Sequence, residues 1–331
     1  MPMTERNLIL IHRGPEYERD FDAISHKVFA LDNDITIYSL DSNYAAELPD
    51  SVWKKPTLVV ALTSQFNLKI KRGTTLTNHV IDKIAQAAIV SRADINTPPT
   101  SLFKFGMKLD PILFGEFVII KPRDVEFTST GKGVQLFRRR RLETVRPEDF
   151  PADHPIFKAR TGYLVQRFID TGRFPTYNRV LTFLGQPIYS ANGALTDPRP
   201  DLTSSDAILE AANIAIQNGA KQRQWGVEDD VLDMARKVGA AFSNVPLLAI
   251  DIIREQASGK IYFLECNPGG NTWHFSSLQP GGIKIRMLLG ESEKYGKKRS
   301  LELGRQRMID QTGAFDVIAR ALVETTHELA T

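Results

Sequence analysis

One cysteine in 331 residues, Cys266, leaves no second thiol for an intrachain disulfide and fits a reducing compartment. No uninterrupted apolar run reaches about 18 residues, so no transmembrane helix is expected. The N-terminus has no basic region followed by a long apolar stretch, and a secretory leader is not expected either. The cytoplasm is therefore the expected location. Charge of one sign is also scarce: 42 Lys and Arg stand against 39 Asp and Glu, a net +3. That balance argues against a general nucleic-acid binder and against a membrane-surface protein. No Gly-x-Gly-x-x-Gly follows the first apolar strand, which removes support for a dinucleotide site. Internal repeats and low-complexity segments are missing as well.

What is present is an ordinary globular composition, 42% hydrophobic and 24% charged, on a chain long enough for two or three packed units. The first third alternates strands and helices. "LILIH" (8–12), "DITIYSL" (34–40) and "TLVVALT" (57–63) read as strands. Between the first two, Phe21, Ile24, Val28, Phe29 and Leu31 recur at helical spacing. Such alternation predicts a parallel, doubly wound sheet. A further amphipathic helix carries Val80, Ile81, Ile84, Ala88 and Ile89, and "NTPPT" stops it because Pro98 and Pro99 cannot continue a helix. A boundary is expected there.

Strands of a different texture follow: "EFVIIKPR" (116–123), "TSTGKGVQLFRR" (128–139) leading from a small-residue turn into a strand, and "GYLVQRFI" (162–169). "RVLTFLGQPIYSANGA" (179–194) predicts a hairpin turning near Gly185, and a helical region spans roughly 226–243. "PLLAIDIIRE" and "KIYFLECN" form a strand pair closed by a short turn, and one amphipathic helix is expected from about residue 299 onward. The units expected are 1–96, 97–169 and 170–331.

Four features carry chemistry on physical grounds. Lys121 follows four apolar strand residues and must reach solvent or an anion, because an unpaired buried ammonium is costly. The run Thr128-Ser129-Thr130-Gly131-Lys132-Gly133 offers backbone amides that suit phosphate oxygens, though an ordinary hairpin loop reads the same way. Asp251 interrupts "LLAIDIIRE" where an apolar residue would pack. In an antiparallel pair it lies opposite Glu265, and Asn267 shares the face of Glu265 because strand side chains alternate. Three oxygen-bearing groups there suit Mg²⁺; an aspartate paired with a core arginine is the competing reading. Arg179 leads an apolar strand, as a phosphate-binding guanidinium or as a surface strand end.

In this order the features resemble the ATP-grasp superfamily, in its branch of bacterial glutathione synthetases and ribosomal-protein glutamate ligases. The resemblance runs from "DKIAQAAIVSRADINTPPT" (82–100) to "FLECNP" (263–268). It implies an α/β fold: a Rossmann-like N-terminal sheet, then two α+β subdomains that clamp ATP. By that resemblance Lys83 and Lys121 contact the ATP phosphates, and Ser129, Thr130, Gly131 and Gly133 belong to a glycine-rich flap. Gln166 lies near the adenine amine, while the backbone of Arg167, Phe168 and Ile169 meets the base. Arg179 stabilises the transferring γ-phosphate, and Asp251, Glu265 and Asn267 hold Mg²⁺ or Mn²⁺. The implied reaction is ligation of a small-molecule or peptide carboxylate to an amine or thiol through an acylphosphate. A small-molecule kinase and a non-catalytic nucleotide-binding module are the alternatives. Oligomerisation is left open.

Departures from the family pattern sit beside the metal triad. Pro268-Gly269-Gly270-Asn271-Thr272-Trp273-His274 replaces a serine-proline-glycine loop, so Asn271, Trp273 and His274 become candidates for substrate contact. Arg13, at the carboxyl end of the first strand, is another. Asn178 stands where many relatives have an acid, so the salt bridge orienting Arg179 is expected to be missing. The run Arg138-Arg139-Arg140-Arg141 reads as a solvated strand edge rather than a nucleic-acid patch. Cys266 alternates toward the core.

Overall fold

The computed structural model describes residues 5–12, 15–44, 47–123, 133–212, 214, 221–269 and 296–331. In chain order its strands are β1 (Arg6–His12), β2 (Ile35–Asp41), β3 (Thr57–Ala61), β4 (Thr74–Thr77), β5 (Thr100–Leu102), β6 (Phe117–Pro122), β7 (Gln135–Arg138), β8 (Tyr163–Arg167), β9 (Thr176–Phe183), β10 (Gln186–Leu195), β11 (Lys221–Trp225), β12 (Leu247–Arg254) and β13 (Ile261–Pro268). The helices are α1 (Pro15–Leu31), α2 (Lys83–Arg92), α3 (Pro111–Phe114), α4 (Arg139–Leu142), α5 (Asp206–Glu210), α6 (Asp229–Ala241), α7 (Lys297–Thr312) and α8 (Ala314–Leu329). The result is a mixed α/β fold, with one parallel and two antiparallel sheets. Among the described residues no helix is long and apolar enough to cross a membrane.

The parallel sheet has the order β2-β1-β3-β4. Its central strands are apolar on both faces because both faces are covered, as parallel sheets require. Leu8, Leu10, Leu58 and Val60 pack against Phe21, Ile24 and Val28 of α1 and Ile318 and Leu322 of α8. Ile9, Ile11, Val59 and Ala61 meet Val52 and Trp53, with Phe66, Leu68 and Ile70 packed behind. The helical spacing in α1 extends too far as a guide to the core: Phe29 is 61% and Leu31 53% exposed, at the end of the helix.

The small sheet, order β5-β8-β6-β7, is antiparallel and encloses its own core of Val118, Ile120, Phe137, Leu142, Tyr163 and Val165. The central sheet runs β11-β10-β9-β12-β13. Its β9–β10 hairpin turns where expected, through Leu184 at φ 46 and Gly185 at φ 78. Two positive φ values are what a two-residue hairpin with right-handed strand twist demands. A Cβ on Gly239 of α6 would fall 2.5 Å from the Gly185 Cα, so the helix seats directly on that turn. One face of the central sheet packs on α6 and α2, through Val231, Leu232, Ala235, Val238 and Val90. Its other face offers Leu181, Phe183, Leu247 and Ala249 to the α1–α8 core, joining the parallel and central sheets through one apolar interior.

Two helix boundaries differ from expectation. Val80 lies outside α2 and is 71% exposed, because Asp82 caps the helix, accepting from the amides of Ile84 and Ala85 at 2.9 and 3.3 Å. The single tail helix is two, α7 and α8, divided at Gly313, whose φ of 64 ends one helix and starts the other.

Candidate functional site

Strand register creates the site. β12 places Asp251 opposite Glu265 of β13 on one side and opposite Arg179 of β9 on the other. A bulge shifts the β12–β13 register between Asp251 and Ile252, so that Leu264 has no partner of its own. Phe263 and Cys266 therefore both enter the core under α6, while Glu265 and Asn267 share the opposite face. Cys266 is buried as expected, and burial pushes its thiol well above the ordinary range.

The buried Asp251 is gripped by Arg179: Nε donates to Oδ1 at 2.7 Å and Nη2 to Oδ2 at 2.6 Å. Two parallel charge-assisted bonds fix the guanidinium plane. The orienting salt bridge expected to be missing is therefore present, supplied by the neighbouring strand rather than by position 178. Asn178 points away, opposite Ile252 and Asn192. Asn267 Nδ2 approaches Asp251 Oδ2 at 3.4 Å. Burial raises the Asp251 carboxyl above its usual value and Glu265 adds to this, while Arg179 opposes both.

Glu265 has a different partner. Lys83, the first residue of α2, donates Nζ to its Oε2 at 2.5 Å. The side chain that makes this possible is Gln86, one helical turn further on and so on the same face of α2. Its Nε2 donates to the Cys266 carbonyl and its Oε1 accepts from the Cys266 amide, both at 2.9 Å. The carboxamide thus acts as a short strand added to β13 and pins α2 with Lys83 above Glu265. Burial works against the Glu265 carboxylate, but Lys83, Lys121 and Arg179 together outweigh it and hold the group at about 2.

Lys121 enters from the small sheet. It is buried on β6, and Nζ donates to Gln166 Oε1 of β8 at 3.0 Å. Burial, reinforced by Lys83, lowers it to about 7, with Glu265 and Asp251 offsetting part of the effect. Next to it, Arg123 reaches back to Asp82, Nε to Oδ2 at 2.6 Å. This bond links the end of β6 to the cap of α2, and with it the two lysine-bearing elements. The structure thus brings Lys83, Lys121, Arg179, Asp251, Glu265 and Asn267 into one electrostatic cluster from five elements, α2, β6, β9, β12 and β13. With Lys121 protonated it holds three cations and two carboxylates, a surplus suited to an anion.

The remaining candidates divide. Gln166 is committed at both ends, its Nε2 donating to Thr100 Oγ1 at 2.8 Å. The amide of Arg167 donates to the Pro99 carbonyl at 2.9 Å and that of Phe168 to the Phe117 carbonyl at 3.0 Å, so neither N–H is left for a base. Arg167 Nη2 lies 3.8 Å from Glu255 Oε1, and Ile169 packs with Tyr177, Ile253 and Tyr262. Gly133 adopts φ 76, and a Cβ there would fall 2.1 Å from the Tyr163 hydroxyl. Ser129, Thr130 and Gly131, with Arg13, Asn271, Trp273 and His274, lie outside the described residues.

The arginine run is not a solvated strand edge. β7 ends at Arg138, and the next three arginines lie in the helical turn α4. Arg138 pairs with Asp206 at 2.5 Å and donates to the carbonyls of Leu202 and Ser204. Arg139 pairs with Glu143 and donates to the carbonyls of Gly115 and Leu109. Arg141 meets Glu210 and Asp149. Only Arg140 of the four is exposed.

Among the described residues no group of three His, Cys, Asp or Glu side chains stands ready for a metal. The set Asp251, Glu265 and Asn267 nevertheless has hard oxygen donors of the type a small divalent cation takes. In the structure both carboxylates are neutralised by the protein's own cations.

No family model and no curated relative matches the chain. Solved structures similar to it include a macrocyclase bound with its precursor peptide from Microcystis aeruginosa, 13% identical, covering 96% of this chain and 99% of that one at a TM-score of 0.46. A D-cycloserine synthetase is 14% identical over 97% and 99%, with a TM-score of 0.45. An ATP-grasp ligase complexed with a precursor variant, Mg and ADP is 12% identical over 98% and 99%, also at 0.45.

Proposed function

We propose that this chain is an ATP- and Mg²⁺-dependent ligase that joins a carboxylate of a small molecule or peptide to an amine or thiol through an acylphosphate. One observation carries the reading: Lys83, Lys121 and Arg179 converge with Asp251, Glu265 and Asn267 although they come from a helix, the small sheet and the central sheet. Buried cations in excess of carboxylates favour a polyanion. A polyphosphate offers the lysines and Arg179 new partners, and that exchange frees the two carboxylates. Asp251, Glu265 and Asn267 would then hold Mg²⁺, which neutralises phosphate charge when bound.

The residues' tasks follow from their chemistry. Lys83 and Lys121 hold the phosphates between α2 and β6. Arg179 presents a planar fork to the oxygens of the phosphoryl group in transfer, where preorganised charge contributes most. A substrate carboxylate oxygen attacks the γ-phosphorus, the bond to the β-phosphate oxygen breaks, and ADP leaves. The amine nitrogen then attacks the acyl carbon, loses a proton, and expels inorganic phosphate. The units at 1–96, 97–169 and 170–331 would contribute, in turn, Lys83, Lys121, and Arg179 with Asp251, Glu265 and Asn267.

The test is an ADP-release screen over carboxylate and amine pairs, with hydroxylamine as a trap. Hydroxamate formation that depends on ATP, Mg²⁺ and one carboxylate is the expected result. ADP release that needs no amine and gives no hydroxamate would mean a kinase. Failure to bind Mg·ATP at all would reject the nucleotide reading.

A further inference from the structure

Thr100, Gln166 and Lys121 lie in a row across three strands of the small sheet. Thr100 of β5 is directly opposite Gln166 of β8, and Gln166 is the diagonal neighbour of Lys121, whose own partner is Leu164. The hydrogen bonds along this row have a direction. Thr100 Oγ1 donates its proton to the Pro98 carbonyl at 2.8 Å, which leaves only lone pairs for Gln166. The carboxamide must therefore turn its NH₂ to Thr100, at 2.8 Å, and its oxygen to the Lys121 ammonium, at 3.0 Å. The reverse orientation would set an N–H donor against an ammonium that only donates. Gln166 and Lys121 are both buried, so water is a poor substitute for the lost acceptor.

We propose that Thr100 is a positioning residue for the phosphate site: its hydroxyl fixes the orientation of Gln166, and Gln166 fixes the ammonium of Lys121. This rests on the polyphosphate reading of the cluster. Thr100 itself is separated from Lys121 by the whole glutamine side chain. The device also assigns the Gln166 side chain to the lysine rather than to a nucleobase.

Thr100→Val and Thr100→Ser separate this role from packing. Val keeps the volume and loses the hydroxyl; Ser keeps the hydroxyl and loses a methyl. With the full chain and Mg·ATP as the titrant in calorimetry, Thr100→Val should bind about fivefold more weakly and Thr100→Ser within about twofold of wild type. A packing role gives the opposite order, with Ser the weaker binder, and that order or equal binding by all three overturns the relay. Should Thr100→Val show no cooperative melt, Gln166→Leu carries the same expectation of weaker binding, and wild-type affinity in it overturns the proposal. A wild-type chain that binds no Mg·ATP overturns the polyphosphate reading itself, and the relay with it.

Discussion

Two groups of cations in this protein behave in opposite ways. Arg138 to Arg141 are adjacent in sequence, yet the fold disperses them: Arg138 goes to Asp206, Arg139 to Glu143, Arg141 to Glu210 and Asp149, and Arg140 to solvent. Lys83, Lys121 and Arg179 are separated by dozens of residues, yet the fold gathers them around Asp251 and Glu265. Clustering in sequence therefore produced separate structural clips, and clustering in space produced the candidate site. The energetic settings differ too. Asp206 and Asp149 are about two-fifths exposed, with side-chain values of 41% and 38%, whereas Asp251 is at 9% and Arg179 at 15%. Apart from Arg139–Glu143, where both side chains are 13% exposed, solvent screens the first group, and the second answers to burial.

The largest expected effect breaks the second group at its most buried member. Asp251→Ala leaves the Arg179 guanidinium without its carboxylate and should lower unfolding stability by about 3–5 kcal/mol in chemical denaturation. Replacing both, Arg179→Leu with Asp251→Leu, should recover most of that loss, because no charge is left unpaired. In the dispersed group Asp206→Ala should cost only about 1 kcal/mol or less, since Arg138 keeps two carbonyl acceptors and access to water. Similar losses for Asp251→Ala and Asp206→Ala would erase the distinction drawn between the groups.

The next expectation concerns function rather than stability. Lys121→Met removes a buried amine that burial already disfavours, so stability should match or exceed wild type while Mg·ATP binding weakens about tenfold or more. Parallel loss of both, measured by melting and calorimetry, would make Lys121 a structural residue.

Much of this arrangement was legible in the sequence, and the illegible part has a common cause. Strand alternation and an antiparallel turn suffice to put Asp251, Glu265 and Asn267 together, and both are local rules. Gly185 announced its hairpin for the same reason. The positions that escaped are held by distant hydrogen bonds. Gln86 reads as an exposed helix residue until its bonds to Cys266, 180 positions away, are seen. Thr100 lies in a three-residue strand too short to show a period, and β4 has only four residues. Four consecutive arginines fit a strand or a helical turn equally well, and their partners at Asp206 and Glu210 lie more than 60 positions further on. The partner of Arg179 was missed because the relatives' acid would lie beside it on its own strand, at position 178, while the register supplied Asp251 from the next one.

A smaller effect follows from the titration of Lys121 near pH 7. Phosphate binds the ammonium better than the amine. Affinity attributable to this group is thus full well below pH 7 and falls as pH rises through about 7, by at most about tenfold per unit. ATP itself titrates in the same range, so the informative quantity is the ratio of wild-type to Lys121→Met affinity at each pH. That ratio should shrink between pH 6 and pH 9. A constant ratio would show that the free protein keeps Lys121 fully charged throughout.

The arginine run completes the comparison, and its exposed member carries the smallest effect. Arg139→Ala removes the partner of Glu143 and two carbonyl contacts, and should cost about 1–3 kcal/mol. Arg140→Ala removes an exposed charge and should stay within about 0.5 kcal/mol of wild type. Neither change touches the cluster around Asp251, so Mg·ATP affinity should be the same in both variants as in the unaltered chain. The salt dependence of any residual nucleic-acid binding provides the stricter check. A basic patch acting as one surface would lose log–log slope by about one unit per arginine removed. Four arginines already divided among Asp206, Glu143, Glu210, Asp149 and solvent form no such surface, and the slope should start near zero and stay there.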